Sequence, residues 1–295
     1  MSGGDALRRF MFEAFAVRGE VVRLEQSWRA VLEREAYPPA VRDLLGEAMA
    51  ATVLLASMLK FDGVLTLQIQ GEGDVHLLVA QCGSDLAVRG LAKWKGEDPR
   101  GSLAELTGGG RLAITIERRK DKERYQGIVL ADTDSLASCL EAYFAQSEQL
   151  PTRIWLAADG SGAAGLLLQQ LPASAGAPEA DADGWRRAGM LAGTVSAQEL
   201  LALDSQDLLR RLFHEEDVRV ADERAVTFQC SCNRQRVESA LRLIGRAELD
   251  GLLAAEGRIE VRCEFCNKAY ALDTVDVGRL LADDALIPPA SKQVH

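Results

Sequence analysis

The sequence predicts an α+β protein: a large N-terminal domain of mixed sheet and helices, a helical linker and a small C-terminal domain. Three observations carry that reading. Two hairpin-like pairs of alternating segments are interspersed with amphipathic helices through the first 171 residues. A stretch rich in Pro, Ala, Gly and Asp, Pro172 to Gly184, interrupts all apolar periodicity. Four of the six cysteines stand in two close pairs towards the C-terminus. The expected boundaries are 1–171 for the core domain, 172–220 for the break and linker, and 221–295 for the cysteine domain. At 295 residues the chain exceeds what one core comfortably serves.

The elements follow in order. Leu24, Trp28, Val31 and Leu32 recur at helical spacing until Tyr37-Pro38-Pro39 stops them. A second helix is expected from about Ala40 to Lys60, with Asp62-Gly63 as the turn after it. Leu65, Leu67 and Ile69 then alternate with Thr66, Gln68 and Gln70, which is the period of a half-buried strand. Gly71-Glu72-Gly73-Asp74 turns this strand into Val75 to Ala80. A second pair leads from Leu112, Ile114 and Ile116 to Tyr125–Ala131. Leu136, Cys139, Leu140, Tyr143 and Phe144 mark one face of a further helix, and strands are expected around Ile154–Ala157 and Leu166–Leu168. Beyond the break, Trp185 to Phe213 reads as short helices. Ser196 and Glu199 fit a capping box, and Leu208, Leu209, Leu212 and Phe213 form an apolar stripe. Trp185, Met190, Leu191, Leu200 and Leu201 have too little local chain to bury them, so this segment is expected to dock on the core domain.

Composition narrows the function. The chain is 47% hydrophobic and 26% charged, with a formal net charge of -10, which disfavours nucleic acid and anionic membranes as partners. Met1 to Asp5 lacks the basic start and apolar run of a signal peptide. The most apolar stretch, Ala48 to Leu59, has 12 uncharged residues, short of the roughly 20 a membrane-spanning helix needs. The expected compartment is the cytoplasm, where clustered cysteines hold metal or sense oxidants more often than they form permanent disulfides.

The cysteines carry the chemistry. Cys230-Ser231-Cys232 and Cys263-Glu264-Phe265-Cys266 are separated by 30 residues. Two distant pairs suit one tetrahedral Zn²⁺ per chain, bound by four thiolates with no open position. In a regular strand the side chains of a CxC would point to opposite faces, so the backbone must turn there. Arg234, Arg236, Arg262 and Lys268 lie close in sequence and could offset the negative charge of the site, as could backbone N–H groups. Around them, about 60 residues make a unit whose own core is marginal, and structural zinc can contribute on the order of 10–16 kcal/mol to folding such a unit. Were oxidation to join the neighbours within each pair, each disulfide would close a very short loop worth roughly 2 kcal/mol or less. Neither would tie one end of the unit to the other. That balance favours a redox switch, with a purely structural zinc ribbon as the plainer reading of the same spacing.

At these residues the chain resembles the 33 kDa chaperonin family, the redox-regulated heat-shock holdases of bacteria. Phe15-Ala16-Val17-Arg18-Gly19-Glu20, Leu59-Lys60-Phe61-Asp62-Gly63, Tyr125-Gln126-Gly127, Ser147-Glu148-Gln149-Leu150-Pro151-Thr152 and Phe213-His214-Glu215-Glu216 are similar to stretches of that family in the same order. The resemblance implies an ATP-independent chaperone with no catalytic residue. Its reduced form holds zinc on Cys230, Cys232, Cys263 and Cys266 and binds clients poorly. Oxidation with mild unfolding is then expected to release zinc, form Cys230–Cys232 and Cys263–Cys266 disulfides and loosen the linker. The active form, a homodimer, would bind unfolded or aggregation-prone proteins.

Other residues weigh less. Cys139 sits on an apolar face and reads as a buried, inert thiol. Cys82, near the expected turn Gly83-Ser84, could react with oxidants, but no partner for it is visible. His76, His214 and His295 share no spacing with the cysteines. Gly108-Gly109-Gly110 lacks the Lys-Ser or Lys-Thr of a phosphate cradle. Two rival readings are a thiol–disulfide oxidoreductase using Cys263 and Cys266, which requires that pair at a helix start, and a zinc-ribbon nucleic-acid adaptor, which the acidic charge opposes.

Overall fold

The chain opens with an antiparallel hairpin, β1 (Ala6–Phe12) and β2 (Val17–Leu24), which the sequence pattern did not reveal. The short helix α1 (Gln26–Leu32) and the long α2 (Pro39–Met58) follow where the apolar spacing and prolines place them. Asp5 caps α1 from outside it: its carboxylate accepts from the backbone N–H groups of Glu25, Gln26 and Ser27 at 2.6, 2.8 and 2.6 Å. Next come β3 (Gly63–Gln70), β4 (Val75–Gly83), β5 (Ala87–Trp94), α3 (Leu103–Thr107), β6 (Arg111–Arg118) and β7 (Arg124–Leu130). Helix α4 (Leu136–Tyr143), β8 (Thr152–Ala158) and β9 (Ala163–Gln170) complete the core region. The structure, a computed structural model, describes residues 4–120, 124–148, 150–172 and 183–284. Most of the compositional break, residues 173–182, lies outside them.

Two sheets pack on α2. One runs β8, β9, β2, β1 and the other β5, β4, β3, β6, β7, with antiparallel neighbours throughout. Both predicted hairpins are present, β3 with β4 and β6 with β7. Beyond Glu47 helix α2 carries no charged residue, and fourteen of its twenty residues are buried. Close approach depends on glycine: a Cβ at Gly165 would stand 2.8 Å from Leu54 Cδ1, and one at Gly90 3.0 Å from Met49 Cγ.

Beyond the break, α5 (Gly184–Ala192), α6 (Ala197–Ala202) and α7 (Ser205–Phe213) cover the opposite face of the first sheet. Alternation along β2 explains why that sheet needs two covers. Val22 and Leu24 enter the α2 core, whereas Val17 and Val21 join Phe10, Phe12, Leu166 and Leu168 under the linker helices. Phe213 meets Phe12 edge-on at 5.0 Å between ring centroids. The Ser196/Glu199 capping box forms as expected. Docking holds for Trp185, Leu191, Leu200 and Leu201. Met190 is the exception: it lies on the outer side of α5 and is 63% exposed.

Three short strands end this region. β10 (Val218–Val220) and β11 (Arg224–Ala225) pair with β1, and β12 (Thr227–Phe228) runs parallel to β5. The chain divides into two compact units, Met1–Gln229 and Cys230–His295. Residues 221–229, placed with the cysteines by the sequence boundary, are therefore bound into the sheets of the first unit. Their charge and brevity hide this in the sequence. The second unit holds α8 (Arg234–Ile244), α9 (Arg246–Glu256), the hairpin β13 (Ile259–Arg262) and β14 (Ala269–Leu272), and α10 (Thr274–Asp284). Among the described residues, no helix is long and apolar enough to cross a membrane.

Candidate metal centre

The second unit brings the two cysteine pairs together. Cys230 and Cys232 lie in irregular chain just before α8, whose first turn is capped by Asn233 accepting from the Arg236 N–H at 2.9 Å. That irregular backbone is the turn a CxC needs to aim both sulfurs one way. Cys263 and Cys266 sit in the tip of the β13–β14 hairpin. The Asn267 N–H donates to the Cys263 carbonyl at 2.7 Å, and the Cys263 N–H donates to the Lys268 carbonyl at 3.0 Å. Asn267 takes the left-handed conformation, φ 55°, which asparagine tolerates better than most residues. The tight tip turns both sulfurs inward.

The four sulfurs lie within 4.8 Å of one another. Cys230 Sγ is 3.7 Å from Cys263 Sγ, and Cys232 Sγ is 3.3 Å from Cys266 Sγ. A tetrahedron of Zn–S bonds near 2.3 Å has edges of about 3.8 Å, so the arrangement fits one such ion. Electrostatics agree. Burial, reinforced by the neighbouring thiols, pushes the Cys266 thiol up to about 12, and burial together with Cys230 also raises Cys263. Backbone N–H groups act against this, from Cys266 and Phe265 on the Cys263 sulfur and from Lys268 on the Cys266 sulfur. The Cys263 and Cys266 thiols thus resist becoming thiolates by themselves, and a divalent cation would reverse that preference. These four cysteines are the group among the described residues that could hold a metal ion.

The surroundings depart in part from expectation. Arg234 is engaged by Glu238 at 2.9 Å and Asp276 at 2.7 Å, and Arg262 by Glu260 at 2.9 Å. Arg236 donates to the Ser231 hydroxyl at 2.5 Å, and Lys268 stands over the Tyr270 ring at 5.4 Å. All four cations thus engage other partners, and backbone N–H groups donate at the Cys263 and Cys266 sulfurs. A side-chain donor joins them that the sequence reading missed: the Tyr270 hydroxyl, 3.1 Å from Cys232 Sγ. That bond, then burial, lifts the Tyr270 hydroxyl to about 12. Alternation along β14 was the available signal, since it puts Tyr270 on the same inward face as Leu272.

The remaining thiols stand apart. Cys139 is 1% exposed, and burial lifts it to about 11. Cys82 is fully buried on the inner face of β4, and burial lifts it to about 12, which argues against the reaction with oxidants that its place near a turn allowed. Gly83-Ser84 does mark the turn, but Cys82 precedes it within the strand. The Cys263–Cys266 pair sits at a hairpin tip rather than a helix start, against the geometry an oxidoreductase requires.

Known proteins supply the family. A family model described as Hsp33 protein matches residues 5–273. The chain is 47% identical over 291 residues to the 33 kDa chaperonin of Nitrosococcus oceani, covering 99% of each. It is 45% identical over 288 residues to the 33 kDa chaperonin of Chromobacterium violaceum, covering 97% of each. The fold is similar to the crystal structure of a 33 kDa chaperonin from Thermotoga maritima, with TM-score 0.79 and 24% identity, covering 95% of this chain and 99% of that one. These relatives are named as chaperonins and not as enzymes. With a family match over most of its length and relatives this similar from end to end, the chain belongs to the Hsp33 family of chaperones.

Proposed function

We propose that this chain is a redox-regulated, ATP-independent holdase of the cytoplasm, resting in a reduced form with one zinc ion on Cys230, Cys232, Cys263 and Cys266. The observation that carries the reading is the convergence of four sulfurs from the two ends of the Cys230–Cys266 stretch of a thinly built unit. Among the described residues its core has eight buried ones, including Leu241, Leu249, Ile259, Tyr270 and Leu272. So small a core leaves the unit dependent on whatever joins the ends. Zinc, when bound, supplies that joint and holds the four sulfurs as thiolates.

Oxidation by a peroxide then removes the joint. Each disulfide, Cys230–Cys232 and Cys263–Cys266, forms as two thiolates give up two electrons to one peroxide, which takes two protons from solvent and leaves as two waters. Sulfurs bonded to each other no longer serve as thiolate ligands, and neither bond spans the two ends. The unit loosens, the linker helices leave the first sheet, and the apolar surface of Phe10, Phe12 and Phe213 becomes available to unfolding proteins. The active form is a homodimer, and neither nucleic acid nor membrane is a partner.

Metal analysis and thiol counting before and after warm peroxide treatment, beside light scattering of a heated client, test the proposal. About one zinc per chain, lost together with four titratable thiols, and suppression of aggregation only after oxidation are expected. Equal suppression by the reduced, metal-loaded chain would refute it.

A further inference from the structure

Two of the sequence motifs, Arg18-Gly19-Glu20 and Leu59-Lys60-Phe61, meet far from the cysteines in chain order, in the wall of one cavity of about 580 Å³ in the first unit. It opens where α2 ends, between β1 and β2 on one side and the chain from β10 to β11 on the other. Five cations line it, Arg9, Arg18, Lys60, Arg219 and Arg224, against a single lining carboxylate, Glu20. The formal charge of the whole chain is -10, so this is a local inversion of sign.

Two of the cations are offset. Arg9 Nε lies 3.1 Å from Glu20, and Arg219 Nε lies 3.0 Å from Glu13. Arg18 is held by a neutral group instead: its Nε and Nη2 donate to the Gln169 amide oxygen at 3.1 and 2.7 Å. Burial holds this guanidinium below the usual arginine range, while Glu20 pulls it up and Arg9 pushes it down. Lys60 and Arg224 are exposed, and among the described residues neither pairs with a carboxylate. A helix C-terminus draws cations, but its half charge accounts for one of them at most. Three positive charges are left facing a space the size of a small-molecule site.

We infer that this cavity is a binding site for a phosphorylated small molecule carrying a di- or triphosphate group. Guanidinium forks match phosphate oxygens, and three uncompensated cations match the charge of such a group. Phe61 and Met58 offer apolar wall for an uncharged body attached to it.

Inorganic tripolyphosphate is the probe, titrated calorimetrically into the reduced, metal-loaded full chain at low ionic strength. Saturable binding of one molecule per chain is expected. The double reversal Lys60→Glu/Arg224→Glu should weaken it about tenfold or more. Arg100→Glu/Arg186→Glu, at exposed positions outside the cavity with the same charge change, should leave it within about twofold. If the first double variant fails to fold, Lys60→Ala and Arg224→Ala singly should each weaken binding about threefold. Absence of saturable binding, several molecules per chain, or equal weakening by the two reversals overturns the site. Displacement of tripolyphosphate by an acidic peptide of equal charge that binds more tightly overturns the ligand class.

Discussion

Replacing Phe213 with alanine puts the docking of the linker helices to a quantitative test. The ring is 2% exposed, 5.0 Å from the centroid of Phe12 and 5.8 Å from that of Phe10. Phe→Ala substitutions at such sites cost about 3–5 kcal/mol, which at about 1.4 kcal/mol per decade shifts an opening equilibrium roughly 10²- to 10⁴-fold. Because Phe213 belongs to the cluster under the linker and not to the α2 core, the cost falls on the linker's attachment. Hydrogen exchange read by mass spectrometry on the reduced, metal-loaded chain measures it. Amides of α7, and of α5 packed beside it, should exchange at least about a hundredfold faster, with α2 and β3 unchanged. Client aggregation should then be suppressed on mild warming without oxidant. Acceleration below about tenfold in α7, or an equal loss of protection throughout the first unit, would refute the reasoning.

Three further outcomes are expected. Asp5→Ala strips the shared acceptor from three N–H groups at the head of α1 and should lower stability by about 2–3 kcal/mol, read as a lower urea midpoint at unchanged slope. Glu47 on α2 is raised to about 7 by burial and then by Asp43. A folded value above the unfolded one means its contribution is full below about pH 4.5 and lost as pH rises through about 7, so Glu47→Gln should be more stable than the parent at pH 8, by up to about 3 kcal/mol, and equal to it at pH 4. Alkylation of the chelated chain with its first unit still folded should label four thiols, leaving Cys82 and Cys139 to react only after full denaturation; early labelling of either would contradict their burial.

Much of this architecture can be read from residue spacing, and what escapes has physical causes. Strands β3 and β6 each bury one face, so alternation announces them. Strand β2 is covered on both sides, by α2 and by the linker helices, so its pattern does not alternate and it passes unseen. Strand β5 carries Gly90 in its middle, where a Cβ would crowd Met49 at 3.0 Å, and the glycine breaks the apolar alternation that would announce the strand. The four cysteines were legible because spacing alone pairs them. Tyr270 was not, because its hydroxyl reaches sulfur only once the hairpin has formed. The burial of Cys82 was not legible, because a turn signal one residue away says nothing about which face of a strand a side chain occupies.

The path of residues 218–228 has a consequence of its own. These eleven residues hem both sheets at once: β10 and β11 close the margin of β1, and β12 closes that of β5, two residues before Cys230. Any event that peels this hem leaves two ladders of amide and carbonyl groups open together. Such ladders grip an extended polypeptide through its backbone, indifferent to its side chains, which is the kind of hold a protein needs when the chains it meets share no sequence.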